Sequence, residues 1–159
     1  MEIRPARAGD FEVMWGMFKE AIAMQDALPF AGSFAVETFR AHWFQVQAPH
    51  VAVLEGRVVG MYKMGPNFPD LGAHVASATY VVDAPEQGQG VGRALVEHSL
   101  ERARAEGFLA MQFNYVVSTN GPAVALYRKL GFDVVGTLPK AFRHGTLGLV
   151  DVFVMHRFL

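Results

Sequence analysis

Cysteine is absent from all 159 residues. Its absence removes disulfides, thiolate metal ligands and a cysteine nucleophile together, so an acyl-cysteine route is closed, and it fits a reducing cytoplasm. Charge of one sign is absent too. Fourteen Lys and Arg against 15 Asp and Glu leave a formal net charge of −1, which gives no support to nucleic-acid binding through phosphate neutralisation. No window approaches the ~18 to 20 apolar residues of a membrane span. The opening Met1-Glu2-Ile3-Arg4-Pro5 lacks the basic-then-apolar layout of a signal peptide. The expectation is a cytoplasmic protein with no membrane or nucleic-acid partner. Single-sign runs, repeats and Ser/Gly/Pro-rich stretches are missing, while 52% of residues are hydrophobic and 18% charged, so residues 1–159 read as a single folded domain. The 6 histidines show no His-x-x-x-His or other ligand spacing, and no metal is expected.

What the chain does contain is an alternation of two periods. Glu2 to Ala6 reads as a short strand, and Asp10 as the N-cap of a helix carrying Phe11, Met14, Trp15, Phe18 and Ile22 on one face. Pro29 and Gly32 interrupt, and a second helix is predicted from about Val36 to Val46, with Phe39, Trp43 and Val46 inward. Strands follow at His50 to Leu54 and Val58 to Met64 around Glu55-Gly56-Arg57, then a loop bracketed by Pro66 and Pro69, then a strand from His74 to Val82. A helix from Val91 to Glu106 shows an apolar stripe of Val91, Leu95, Val96, Leu100 and Ala103 and ends at Gly107. Phe108 to Val117 is the next strand, and a helix starts after Asn120. Asp133 to Thr137, a polar loop through Lys140 to Gly145, and a strand from Leu147 to His156 complete the chain. This pattern predicts an α/β fold with a mixed sheet.

The most informative stretch is Gln87-Gly88-Gln89-Gly90-Val91-Gly92, between a predicted strand and a helix. Glycines at alternate positions leave the backbone bare at a helix mouth, where amide hydrogens lack partners and the dipole favours anions: a pyrophosphate seat. It is not the dinucleotide fingerprint, which would need glycine at Arg93, nor a P-loop, since no Gly-Lys-Ser/Thr follows. It resembles Gln/Arg-x-x-Gly-x-Gly/Ala, the coenzyme A signature of the GCN5-related N-acetyltransferases (GNAT). The segment from Asn120 through Tyr127 to Leu130-Gly131-Phe132 resembles that family's second block. Capping accounts for Asn120, Pro122 and Gly131; it does not account for Tyr127.

The resemblance covers essentially the whole chain, and it implies a GNAT fold: a mixed central β-sheet with a splayed parallel strand pair, His74 to Val82 and Phe108 to Val117, and helices on both faces. It further implies acetyl-CoA as cosubstrate. The backbone of Tyr80, Val81 and Val82 would hold the pantetheine arm, and amides of Gly88, Gln89, Gly90, Val91, Gly92 and Arg93 the pyrophosphate, with the Gln87 side chain as a further donor and Asn120 beside the cofactor. Gln87 and Gln89 stand where arginine and lysine are frequent in the family, so amide geometry must carry more of the binding. Arg128 and Lys129 read either as solvated helix residues or as partners of the 3′-phosphate.

In this family an amine attacks the thioester directly and a thiolate leaves. Tyr127 matches the family's acid for that sulfur; a core tyrosine with a satisfied hydroxyl is the other reading. No glutamate lies between His74 and Val82, which leaves His74 or an ordered-water route to take the amine's proton. The first two helices and the turn between them border the acceptor site in this fold, so Phe30, Phe34 and Trp43 are candidate lining residues, with core packing as the alternative.

Phe113 to Asn120 and Leu149-Val150-Asp151 are similar to the fungal N-acetyltransferases that act on azetidine-2-carboxylate. In that group an asparagine contacts the substrate where this chain has Ser77, while Asn114 either matches another asparagine or caps a strand end. The resemblance implies acetyl transfer to a small amine, with amino or imino acids as the candidate class. A peptide or lysine acetyltransferase, a non-catalytic acyl-CoA module and, for assembly, a homodimer are the remaining expectations.

Overall fold

The computed structural model describes residues 1–45 and 48–159; Val46, expected on the inner face of the second helix, lies outside them. Strands β1 (Glu2–Pro5), β2 (His50–Leu54), β3 (Arg57–Pro66), β4 (Val75–Val82), β5 (Ala110–Val117), β6 (Asp133–His144) and β7 (Gly148–Phe158) alternate with helices α1 (Phe11–Ala23), α2 (Val36–Phe44), α3 (Val91–Ala105) and α4 (Gly121–Lys129). They form one seven-stranded sheet in the order β1-β2-β3-β4-β5-β7-β6. Adjacent strands are antiparallel except β4 and β5. Helices α1 and α2 bury Phe18, Phe39 and Trp43 with Val51, Met61 and Val81 on one face; α3 and α4 cover Tyr62, Met111, Phe113 and Met155 on the other. None of the helices among the described residues is long and apolar enough to cross a membrane.

The parallel pair meets only at Val75 with Ala110 and Ala76 with Met111. Beyond that, β4 stays paired to β3 as far as Val82 with Gly60, and β5 stays paired to β7 as far as Val117 with Val152. Each strand is held by its outer neighbour while the inner edges part. The sheet therefore opens at the C-terminal ends of β4 and β5, as the resemblance implied.

Several local expectations are corrected. Asp10 does not cap α1, which has no side-chain cap at its start. Ala8–Asp10 forms a 3-10 turn, and the Asp10 carboxylate accepts from the Arg7 amide at 2.7 Å and from both Arg4 Nη atoms at 2.7 and 3.0 Å. A bidentate arginine pair is stronger than a neutral cap, and it ties the turn to β1. The arginine holds the Asp10 carboxyl below its ordinary range. On α1, Met17 joins the buried face and Trp15 is only half-buried.

The predicted polar loop from Lys140 to Gly145 is instead, as far as His144, the second half of β6, where Phe142 pairs with Val150 and His144 with Gly148. Polarity there marks a solvated sheet face, since Phe142 alone of that run is buried, against Val117 and Val152. His74 falls in the turn before β4, one residue outside the strand. The β2–β3 hairpin has left-handed φ at both Glu55 and Gly56, +49° and +77°, the geometry of a two-residue turn that follows strand twist.

Candidate active site

The glycine segment lies where β4 gives way to α3. A 3-10 turn, Ala84–Glu86, follows β4, and the buried Glu86 carboxylate accepts from Arg57 Nη2 of β3 at 3.1 Å, fixing the base of the loop. Gly88 and Gly90 then adopt φ of +77° and +87°, where an L side chain is strained. The ladder of α3 begins with the Ala94 amide donating to the Gly90 carbonyl at 3.0 Å. The amides of Val91, Gly92 and Arg93 precede it, at the positive end of a 15-residue helix. Residues 87–90 are exposed. Gln87 Nε2 donates to the Val82 carbonyl at 3.4 Å and Gln89 Nε2 to the Pro85 carbonyl at 3.1 Å, so each glutamine side chain is engaged by its own loop.

Across the strand gap, Asn120 caps α4 by accepting from the Ala123 amide at 3.4 Å. Tyr127 on α4 packs at ring-centroid distances of 4.6 Å from Phe113 and 6.4 Å from Tyr80. Burial pushes its phenol up to about 12, so it carries its proton throughout the neutral range. The Tyr80 hydroxyl is bonded to Ser99 Oγ at 2.7 Å and is raised well above its ordinary value by burial. It is a structural hydroxyl on the α3 face.

A cavity of about 320 Å³ runs into the gap and brings together Phe30, Ser77, Tyr80, Asn114, Asn120 and Tyr127. A neighbouring cavity of about 630 Å³ shares Ser77 and Asn114 with it. Asn114 accepts from Gln112 Nε2 at 2.8 Å and from Asn67 Nδ2, just past β3, at 3.3 Å, so its amide is held by side chains and does not cap a strand end. Val81 is buried in the α1–α2 core and Val82 is half-buried on the α3 side; what they offer the gap is backbone.

Two expected site residues are not brought in. Phe34 packs on Phe18 and Phe30, at 5.0 and 4.9 Å between centroids, and lines neither cavity. His74 is exposed, and its carbonyl accepts from the Leu109 amide at 2.9 Å, at the end where β4 and β5 still meet. The gap opens at the other end of those strands, so His74 does not reach Tyr127. Arg128 and Lys129 are exposed on the last turn of α4.

Sequence reasoning missed Lys63 and His42, which line both cavities. Lys63 Nζ donates to the His42 carbonyl at 3.0 Å and lies 5.8 Å from the Trp43 ring centroid. Burial lowers its ammonium to about 8; burial and then the Lys63 charge lower His42. The overlooked signal was a lysine inside the apolar run Val58 to Met64. No carboxylate lines either cavity among the described residues.

The model of the Acetyltransferase (GNAT) family matches residues 19–132. Mycothiol acetyltransferase of Saccharomonospora viridis is 40% identical over 107 residues, 64% of this chain and 35% of that protein. The L-methionine sulfoximine/L-methionine sulfone acetyltransferase of Pseudomonas aeruginosa is 32% identical over 109 residues, 64% of this chain and 62% of that protein. The chain thus spans about a third of the length of the first relative and less than two thirds of the second. The solved structure of a GCN5-related N-acetyltransferase from Kribbella flavida is 41% identical, with a TM-score of 0.96 over 99% of this chain and 97% of that one. None of these is a fungal azetidine-2-carboxylate enzyme, and the family likeness stands without that narrower one.

Proposed function

The chain belongs to the acetyltransferase (GNAT) family, and from that premise we propose that it transfers an acetyl group from acetyl-CoA to the amine of a small molecule by direct attack. The observation that carries this reading is the opening of β4 from β5 beyond Ala76 and Met111, with bare helix-mouth amides at one end and Asn120 and Tyr127 along its side. The gap suits an extended arm pairing with strand edge, and the helix mouth suits a pyrophosphate.

In this reading the backbone of Tyr80, Val81 and Val82 holds the pantetheine arm, and the amides from Gly88 through Arg93 hold the pyrophosphate, with Gln87 free to turn from Val82 and add a donor. Acetyl-CoA supplies an activated carbonyl. An amine nitrogen bonds to that carbonyl carbon, the carbon–sulfur bond breaks, and the Tyr127 hydroxyl donates its proton to the sulfur. An ordered water takes the amine's proton in this reading; His74 is remote, and no carboxylate lines the cavities among the described residues.

The acceptor is small because the cavities that meet at Ser77 and Asn114 are of small-molecule size. The name of the Pseudomonas relative, an amino-acid-derivative acetyltransferase, supports that class. Imino acids such as azetidine-2-carboxylate belong to it as well, on the strength of Phe113 to Asn120 and Leu149 to Asp151, although Ser77 stands where that group has asparagine. A single domain over 1–159, a homodimer and a cytoplasmic location complete the proposal, the last supported by the lack of cysteine.

Release of free coenzyme A across a panel of amines, amino acids and peptides tests it. The expected outcome is turnover with small amines above the no-acceptor background. Turnover with peptides alone would make the chain a protein acetyltransferase, and acetyl-CoA binding without transfer to any acceptor would leave a non-catalytic binding module.

A further inference from the structure

Among the described residues, the cavities hold a cation, Lys63, with no counter-ion. Lys63 sits on β3 opposite Thr79 of β4, and cross-strand partners share a sheet face; both line the two cavities. Of the ammonium's three donors, one goes to the His42 carbonyl at 3.0 Å, and the Trp43 ring lies to one side. None of the four ion pairs found among the described residues includes Lys63. The chain as a whole carries a formal charge of −1, so this is not one point on a generally basic surface. Lys63 is half-buried; taking an ammonium partly out of water without a partner is unfavourable, and burial has already lowered it to about 8. A site that retains such a charge is completed by an anionic group on what it binds.

Position makes that anion part of the acceptor. Lys63 is one strand across from Thr79, and the following residue, Tyr80, lies on the stretch of β4 that faces the gap. Ser77 and Asn114 close the same space with neutral donors and acceptors. We propose that Lys63 binds a carboxylate of the acceptor, so that the amine acetylated by this chain belongs to an amino acid.

This rests on the acetyl-transfer reading above, and the test separates the two. Coenzyme A release is measured for matched acceptors that differ only in the carboxylate: L-methionine against 3-(methylthio)propylamine, L-phenylalanine against phenethylamine, and L-proline against pyrrolidine. The expected result is a preference for the acid of about tenfold to a hundredfold in kcat/KM, the range of a desolvated charge pair. The preference resides in KM. Lys63→Met, which keeps the stem and removes the charge, brings the ratio of acid to bare amine towards one. Lys63→Arg keeps most of it, because a guanidinium also pairs with carboxylate.

Acetyl-CoA affinity, measured by titration calorimetry, is unchanged in both variants and reports their integrity. Equal turnover of acids and bare amines by the wild type overturns the carboxylate assignment and leaves acetyl transfer standing. So does a preference that survives Lys63→Met. A loss of kcat in Lys63→Arg as large as in Lys63→Met, with the acid preference intact, also overturns it, by making Lys63 a proton acceptor. Failure of every small amine, with or without carboxylate, overturns the small-amine reading on which this proposal rests.

Discussion

Ala76 and Met111 are the last residues to meet across β4 and β5. From Ser77 and Gln112 onward the two strands keep only their outer partners, and the inner backbone edges face a cavity containing Tyr127 and Asn120. An unpaired strand edge is normally a liability. Here it is sheltered inside the sheet, where only an extended ligand can pair with it, so the opening explains at once why the fold tolerates it and what would fill it.

Substitutions in the glycine segment should separate folding from cofactor affinity. An ideal Cβ at Gly92 meets Val82 Cγ2 at 3.6 Å and Leu126 Cδ2 at 3.9 Å, ordinary contacts, so Gly92→Ala should fold as the wild type does. Gly92→Val adds bulk beside the first-turn amides and should weaken acetyl-CoA binding by about tenfold or more, or roughly 1.4 kcal/mol. Gly90→Val must also enter the left-handed region at φ +87° and should lose both affinity and stability. Gln89→Ala, which removes a side chain bonded to its own loop, should matter little. Titration calorimetry decides the matter, and full affinity in a folded Gly92→Val protein removes the proposed seat.

Tyr127→Phe should keep fold and acetyl-CoA affinity while turnover falls ~10²- to 10⁴-fold where proton donation limits the rate. Because burial places the phenol at about 12, the wild type should show no loss of its acid through pH 10. The deficit of the phenylalanine variant should persist across that whole range in coenzyme A release. Equal rates at alkaline pH would make the hydroxyl structural.

Acid pH should destabilise the fold through His50. This buried ring is stacked on Tyr62 and bonded through Nδ1 to Arg102 at 3.0 Å, and burial, then Arg102 and His98, lower it to about 4. Between about 6.5 and 4 the unfolded chain takes up a proton that the folded chain refuses, so stability falls as pH falls through that window. His42 and His98 are lowered in the same direction and add to the slope. Asp10, held down by Arg4, contributes its loss at more acid pH. Thermal unfolding from pH 7.5 to 4.5 should give a falling Tm, and His50→Asn should flatten the fall without abolishing it. A Tm independent of pH over that interval refutes the linkage.

Local chemistry determined a large part of this protein from the sequence alone. Glycine at 88, 90 and 92 announces backbone that must be bare, Asn120 announces a cap, and the 3.6-residue stripe on α3 recurs almost unchanged as Val91, Leu95, Val96, Leu100 and Ala103 in the core. These signals are readable because each depends on residues within a turn or two of one another. Tertiary structure decided the rest. Asp10 read as the cap of α1, but its carboxylate is taken by Arg4 and the Arg7 amide, and Lys140 to His144 looked like a loop because a solvated strand is as polar as one. His74 is close to Ser77 in the chain yet lies at the closed end of the strand pair, whereas Lys63 and His42, from a different strand and helix, line the open one. Which side chains share a cavity depends on strand order and on where two strands part, and those are set by burial and pairing between segments far apart in the chain.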